Sequence, residues 1–130
     1  MEKIKLDELQ LAVMQALWKL KQATVSELRD ALTPERDLAH TTIGTILTRL
    51  EKKGIVAHHS ESRQYVYRPL ITESGIQGSM VSILTDQLFG GNTVNLANFL
   101  IRESDFKKEE LDHLRKLIES YDNKPKASNE

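Results

Sequence analysis

With 130 residues, 39% of them hydrophobic, the chain can fill one modest core or two small interdependent ones, which excludes a large enzyme. It contains no cysteine, so a disulfide framework, a thiolate nucleophile and a Cys-ligated zinc are excluded as well. The formal charge of -1 hides an asymmetry: residues 1–70 hold eleven Lys/Arg against nine Asp/Glu, and residues 71–130 hold seven against ten.

The opening MEKIKLDELQ lacks the apolar run of a signal peptide, and no window approaches the roughly 20 apolar residues that span a bilayer. A soluble, cytoplasmic protein without membrane insertion is therefore expected. Asp7 fits the cap of a first helix in which Leu9, Val13, Met14, Leu17, Trp18 and Leu20 form a broad apolar stripe, with Trp18 in the core. Lys21-Gln22-Ala23 leads to Thr24-Val25-Ser26-Glu27, the capping box of a second helix through Leu32. Pro34 stops that helix within a turn-like stretch, Thr33 to Leu38.

Ala39 to Gly54 predicts a third helix with two unlike faces. Ile43, Ile46, Leu47 and Leu50 recur at the spacing that packs on a core. The opposite side carries Thr41, Thr45, Thr48 and Lys52 with Arg49 at its edge, and Glu51 falls on the flank. Hydroxyls and positive charge without a central acid suit a polyanion, so this is read as a DNA recognition helix. Lys52 and Lys53 favour the carbonyl end of the helix, and Gly54 can take the left-handed cap conformation. The period then changes to that of a hairpin: Ile55 to His59, a polar turn Ser60-Glu61-Ser62-Arg63, and Gln64 to Arg68. This order is that of a winged helix-turn-helix, with Arg63 at the wing tip over backbone phosphate. His40 to Arg68 holds five Lys/Arg against two Glu, a local excess suited to the groove and wing.

From Thr72 the pattern is helical only. Thr72 and Ser74 are candidate caps for a helix bearing Ile76, Met80, Ile83, Leu84, Leu88 and Phe89, which Gly90-Gly91 ends. A short helix with Val94, Leu96, Ala97, Phe99, Leu100 and Ile101 follows, and a last one aligns Leu111, Leu114, Leu117, Ile118 and Tyr121. These helices carry more apolar surface than they can bury against one another, and an isologous dimer would cover it, the alternative being that they fold back on residues 1–70 as one monomeric core. The expected interface comprises Ile83, Leu88, Leu96, Phe99, Leu100, Leu111, Leu114, Leu117 and Ile118. The organisation read is a mainly α chain: a winged helix-turn-helix DNA-binding domain of three helices plus a β-hairpin wing over 1–70, a three-helix dimerisation domain over 71–121, and a disordered polar tail over 122–130.

Leu6-Asp7-Glu8-Leu9, Val13-Met14, Leu17-Trp18, Thr41-Thr42-Ile43, Thr45, Leu47, Arg49-Leu50 and Lys53-Gly54 together resemble the penicillinase repressor (BlaI/MecI/CopY) family of winged-helix transcriptional regulators. The similarity continues through Tyr67, Leu88-Phe89-Gly90-Gly91, Asn98-Phe99 and Glu109-Glu110-Leu111 to Leu114-Arg115. The order and spacing of these motifs are specific where no single one is. The resemblance implies a homodimeric repressor on a palindromic operator of double-stranded DNA, with Thr41, Thr42, Thr45, Thr48 and Arg49 contacting it. Lys52, Arg63 and Tyr67 complete the expected contact set. Gly44 departs from the larger residue often found at its position. The copper branch of the family uses paired cysteines that are absent here, whereas the beta-lactam branch is inactivated at an Asn-Phe bond. The resemblance therefore implies cleavage at Asn98-Phe99, with a membrane sensor protease as a further partner.

Other chemistry has little support. His58 and His59 are adjacent and point to opposite faces of a strand, and His40 and His113 are distant, so no metal and no cofactor are expected. No catalytic constellation is visible, and an enzyme is the weakest reading. The competing class is a winged helix used for protein contacts without DNA-binding activity, which would differ in its response to salt.

Overall fold

The computed structural model describes residues 3–123. Its elements are α1 (Glu8–Leu20), α2 (Val25–Leu32), α3 (His40–Lys52), β1 (Val56–Glu61), β2 (Gln64–Pro69), α4 (Glu73–Phe89), α5 (Thr93–Glu103) and α6 (Lys108–Asp122). The tail expected from Asp122 differs at its start: Asp122 closes α6 and Asn123 caps it. From position 124 the expectation lies outside the described residues.

The helix starts follow from their caps. The Asp7 carboxylate accepts from the Gln10 amide at 2.8 Å while the Gln10 side chain accepts from the Asp7 amide. Thr24 and Glu27 make the same reciprocal pair on α2, and Thr72 Oγ1 accepts from the Gly75 amide on α4. Each arrangement satisfies donors that the first helical turn leaves without partners. The end of α3 is a Schellman motif: the Gly54 amide donates to the Glu51 carbonyl and the Ile55 amide to that of Leu50. Gly54 has φ +78°, the left-handed value this motif demands. The buried Ile55 then launches the hairpin directly from the core.

Strands β1 and β2 pair antiparallel with Glu61 opposite Gln64 and Val56 opposite Pro69, so the turn contains only Ser62 and Arg63. That is two residues shorter than the turn read from the sequence, because Ser60 and Glu61 continue the ladder. Ala23, between α1 and α2, forms an isolated bridge with Tyr67 and extends the hairpin by one residue of a third strand. Its amide donates to the Tyr67 carbonyl at 2.9 Å, and the Tyr67 amide donates back at 2.8 Å.

One cluster holds these elements together: Val13, Met14 and Leu17 of α1, Leu28 of α2, Ile43, Ile46, Leu47 and Leu50 of α3, Val56 and Tyr67 of the hairpin, and Ile76 of α4. Trp18 packs against it and donates from its indole N–H to the Ile71 carbonyl at 2.8 Å, satisfying its polar edge. Ser79 of α4 exchanges hydrogen bonds with the backbone of Ile4, donating to its carbonyl and accepting from its amide.

The described residues divide into two compact units, the first ending at Gly91 and the second beginning at Asn92. The first half of α4 thus shares the core of the amino-terminal unit, although the sequence pattern groups α4 with the later helices. In the other unit α5 and α6 contain no buried residue. Val94, Phe99, Leu100, Ile101, Leu117, Ile118 and Tyr121 are exposed apolar side chains there.

Leu47 is fully buried at the centre of the cluster. Truncating Leu47→Ala is expected to lower unfolding stability by about 2–5 kcal/mol, read by urea denaturation followed through the fluorescence of Trp18. A loss below about 1 kcal/mol would show that α3 is not anchored as described.

Candidate nucleic-acid interface

The apolar stripe of α3 fixes its rotation about its own axis. With Ile43, Ile46, Leu47 and Leu50 buried, Thr41, Thr42, Thr45, Thr48, Arg49 and Lys52 are all exposed. Thr41, Thr45, Thr48 and Lys52 share one side of the helix, and Thr42 and Arg49 border it toward Asp7 and Gln10, with which they line a shallow cleft. Thr45 Oγ1 donates to the Thr41 carbonyl at 3.0 Å and Thr48 Oγ1 to the Gly44 carbonyl at 2.9 Å. These bonds hold both threonines close to the helix while leaving their oxygen lone pairs and methyl groups available. Such groups can accept from base edges and touch the methyl of thymine.

The charges are available too. Among the described residues, no ion pair within 4.0 Å engages Arg49, Lys52, Lys53, Arg63 or Arg68. Glu51, the only acid on α3, is drawn toward the hairpin: its carboxylate lies 2.6 Å from Nδ1 of His58. The His58 ring stacks on Tyr65 with centroids 4.1 Å apart and tilts against Tyr67 at 5.4 Å, so the imidazole that meets Glu51 of α3 is held by both tyrosines of β2. Ala39, at the N-cap of α3, supplies no side-chain cap, and the first turn of α3 holds no acid to offset the positive end of the helix.

Arg63 is exposed at the hairpin tip. Together with Gln64, Tyr65, Tyr67, His40 and the start of α2 at Thr24, Val25 and Ser26, it lines a cleft of about 470 Å³ between wing and helices. Tyr67 is placed differently from the expectation. It is only 5% exposed, packed in the core and tied to Ala23, so it roots the wing rather than presenting a contact surface. Burial raises its phenol pKa above the ordinary 10, and the nearby Glu51 and Tyr65 push the same way. Tyr65, 54% exposed on the same hairpin face, is the aromatic residue that the cleft offers to a partner. Alternation along β2 puts both tyrosines on one face; only their distance from the turn separates the exposed one from the buried one.

Of the residues expected at an interface between subunits, Leu88, Phe99, Leu100, Leu111, Leu117 and Ile118 are exposed, and Ile83, Leu96 and Leu114 are half-buried. Asn98 and Phe99 sit in mid-helix on α5. Among the described residues no cluster of three or more His, Asp or Glu could hold a metal ion, and no helix is long and apolar enough to cross a membrane.

A family model described as penicillinase repressor matches residues 6–120. The chain belongs to the penicillinase repressor family. It is 28% identical over 127 residues to the penicillinase repressor of Bacillus licheniformis, an alignment covering 97% of this chain and 99% of that one. It is 33% identical over 117 residues to the transcriptional regulator BlaI of Mycobacterium tuberculosis, covering 88% and 83% of the two chains. Among solved structures, the DNA-binding domain of the repressor BlaI superposes with a TM-score of 0.50 at 38% identity, over 58% of this chain and 93% of that one. The fold is mainly helical with a winged helix at its amino-terminal end, as the resemblance implied.

Within this winged helix the wing tip breaks a local rule. Both central residues of the two-residue turn have positive φ, 52° at Ser62 and 66° at Arg63, where Asn-Gly is the favoured pair. A long basic side chain in that conformation is strained, and strain of this kind concentrates at functional positions. Arg63→Gly is expected to stabilise the amino-terminal unit by about 1 kcal/mol, measured as a higher Tm by circular dichroism. A lower Tm would mean that Arg63 contributes to packing and not to an external contact.

Proposed function

We propose that the chain is a transcriptional repressor that binds a palindromic operator as a homodimer and is released by cleavage within α5. The single observation that carries the DNA reading is the exposed face of α3: four threonines and two cations that no ion pair engages among the described residues, presented away from a buried apolar stripe. The family relatives, named as repressors, support it. In this reading α3 enters the major groove, Thr41, Thr42, Thr45 and Thr48 meet base edges, and Arg49, Lys52 and Arg63 neutralise phosphates. Tyr65 takes the place at the wing that was expected of Tyr67.

The homodimer rests on the second unit. Two helices without a buried residue, with Ile118 65% and Tyr121 73% exposed, have apolar faces that a second copy would cover. Leu88 of α4, 70% exposed, and Ile83 would join that interface. Two-fold symmetry then places two recognition helices on half-sites about one helical turn, roughly 34 Å, apart. Cleavage at Asn98-Phe99 requires local unwinding, because a protease engages extended backbone. A helix with no buried residue unwinds at lower cost than one rooted in a core, and a cut there would sever the dimerising unit. The protease would be a membrane sensor, and the repressor itself would act in the cytoplasm.

Selection of bound sequences from random duplexes at fixed salt is expected to return a palindrome with half-sites one turn apart. Arg49→Ala should weaken binding to all sequences and reduce the salt slope by about one unit, whereas Thr45→Ala should alter base preference. Absence of duplex affinity at low salt would leave the chain a protein-binding module. Ile118→Asp is expected to yield a monomer by sedimentation and to abolish preference for the palindrome over a half-site. Asn98→Ala should block induction in cells; unchanged induction would remove the cleavage step.

A further inference from the structure

Gly44 stands in the interior of α3, where glycine is unfavourable relative to alanine. Neither of the usual internal reasons for a glycine applies. Its φ is not positive, and a Cβ built on it meets nothing within 4 Å. Gly78 of α4 is equally unhindered, so open space alone assigns no role. The surroundings single out Gly44. Helical spacing puts Thr41 and Thr48 beside it, one turn before and one turn after, on the half-buried shoulder of the threonine face, with Glu51 two turns on along the same line, and the face continues through His40 to the wing-side cleft.

Those threonines cannot compensate for distance. Threonine is short, and Thr45 and Thr48 have their hydroxyls tied back to the carbonyls of Thr41 and Gly44. They reach base edges only if the backbone of α3 comes close to the DNA. A glycine is the residue that lets a backbone approach a ligand closely. We propose that Gly44 is the point of closest approach between α3 and the duplex, and that its missing side chain sets the depth at which the threonine face is seated. It is thus a specificity-determining position, acting through the reach of Thr41, Thr45 and Thr48. This inference rests on the DNA reading given above.

The test compares the full-length chain with Gly44→Ala and Gly44→Leu on the duplex selected by the unaltered protein. Both variants should fold, with a Tm higher by about 4–8 °C for Gly44→Ala. Affinity for the selected duplex should fall about tenfold in Gly44→Ala and further in Gly44→Leu, with the salt slope unchanged. Replacing thymines of the selected site by deoxyuracil should cost the unaltered protein affinity and cost Gly44→Leu little. Variants that gain Tm yet bind the selected duplex as tightly and choose the same sequence would overturn the proposal. If the unaltered protein binds no duplex at low salt, the DNA reading itself fails and this inference with it.

Discussion

The packing of one apolar stripe determines most of what this protein presents to its surroundings. Ile43, Ile46, Leu47 and Leu50 have no freedom to rotate out of the core, because Val13, Met14, Leu17 and Leu28 close over them from two other helices. A helix has only one rotation that buries such a stripe, so burial on one side dictates exposure on the other. The threonines and cations of α3 are displayed by the hydrophobic effect, not by any interaction of their own. The Schellman end of α3 then transmits the same constraint to the hairpin, since Ile55 is both the closing residue of that motif and the first residue of the wing's buried root.

Much of this arrangement was legible from sequence because each element signalled itself locally. Asp7, Thr24 and Thr72 act as the caps their positions suggest, and Gly54 takes the left-handed conformation. What escaped was non-local. Tyr67 joins the core cluster, and its backbone is paired by Ala23 from the α1–α2 link, contacts that spacing within β2 cannot reveal. Likewise the pattern of α4 continues into the later helices, yet Ile76 and Ser79 meet partners near the amino terminus, Ile76 in the core and Ser79 on the backbone of Ile4. The turn of the hairpin was read as longer because Ser60 and Glu61 are polar, and polarity does not distinguish a turn from the exposed end of a ladder.

Gly44 and Arg63 depart from local preference, as Lys21 and Ser62 do with positive φ and Gly78 does inside α4. Glycine occupies the middle of a helix at position 44, and arginine occupies a left-handed turn at position 63, each where the other type would be more stable. What sets these two apart is where they lie, beside Arg49, Lys52 and Arg68, which no ion pair engages among the described residues.

The contact between Glu51 and His58 carries a consequence for the electrostatics of the whole surface. A carboxylate at the flank of a cationic face would repel a polyanion, and here the hairpin restrains it, turning its oxygen toward an imidazole braced by two tyrosine rings. The hairpin therefore acts as a shield. Damage to its far strand would be felt as an unmasked negative charge beside the cationic face of α3, at a position that the damaged residues never touch.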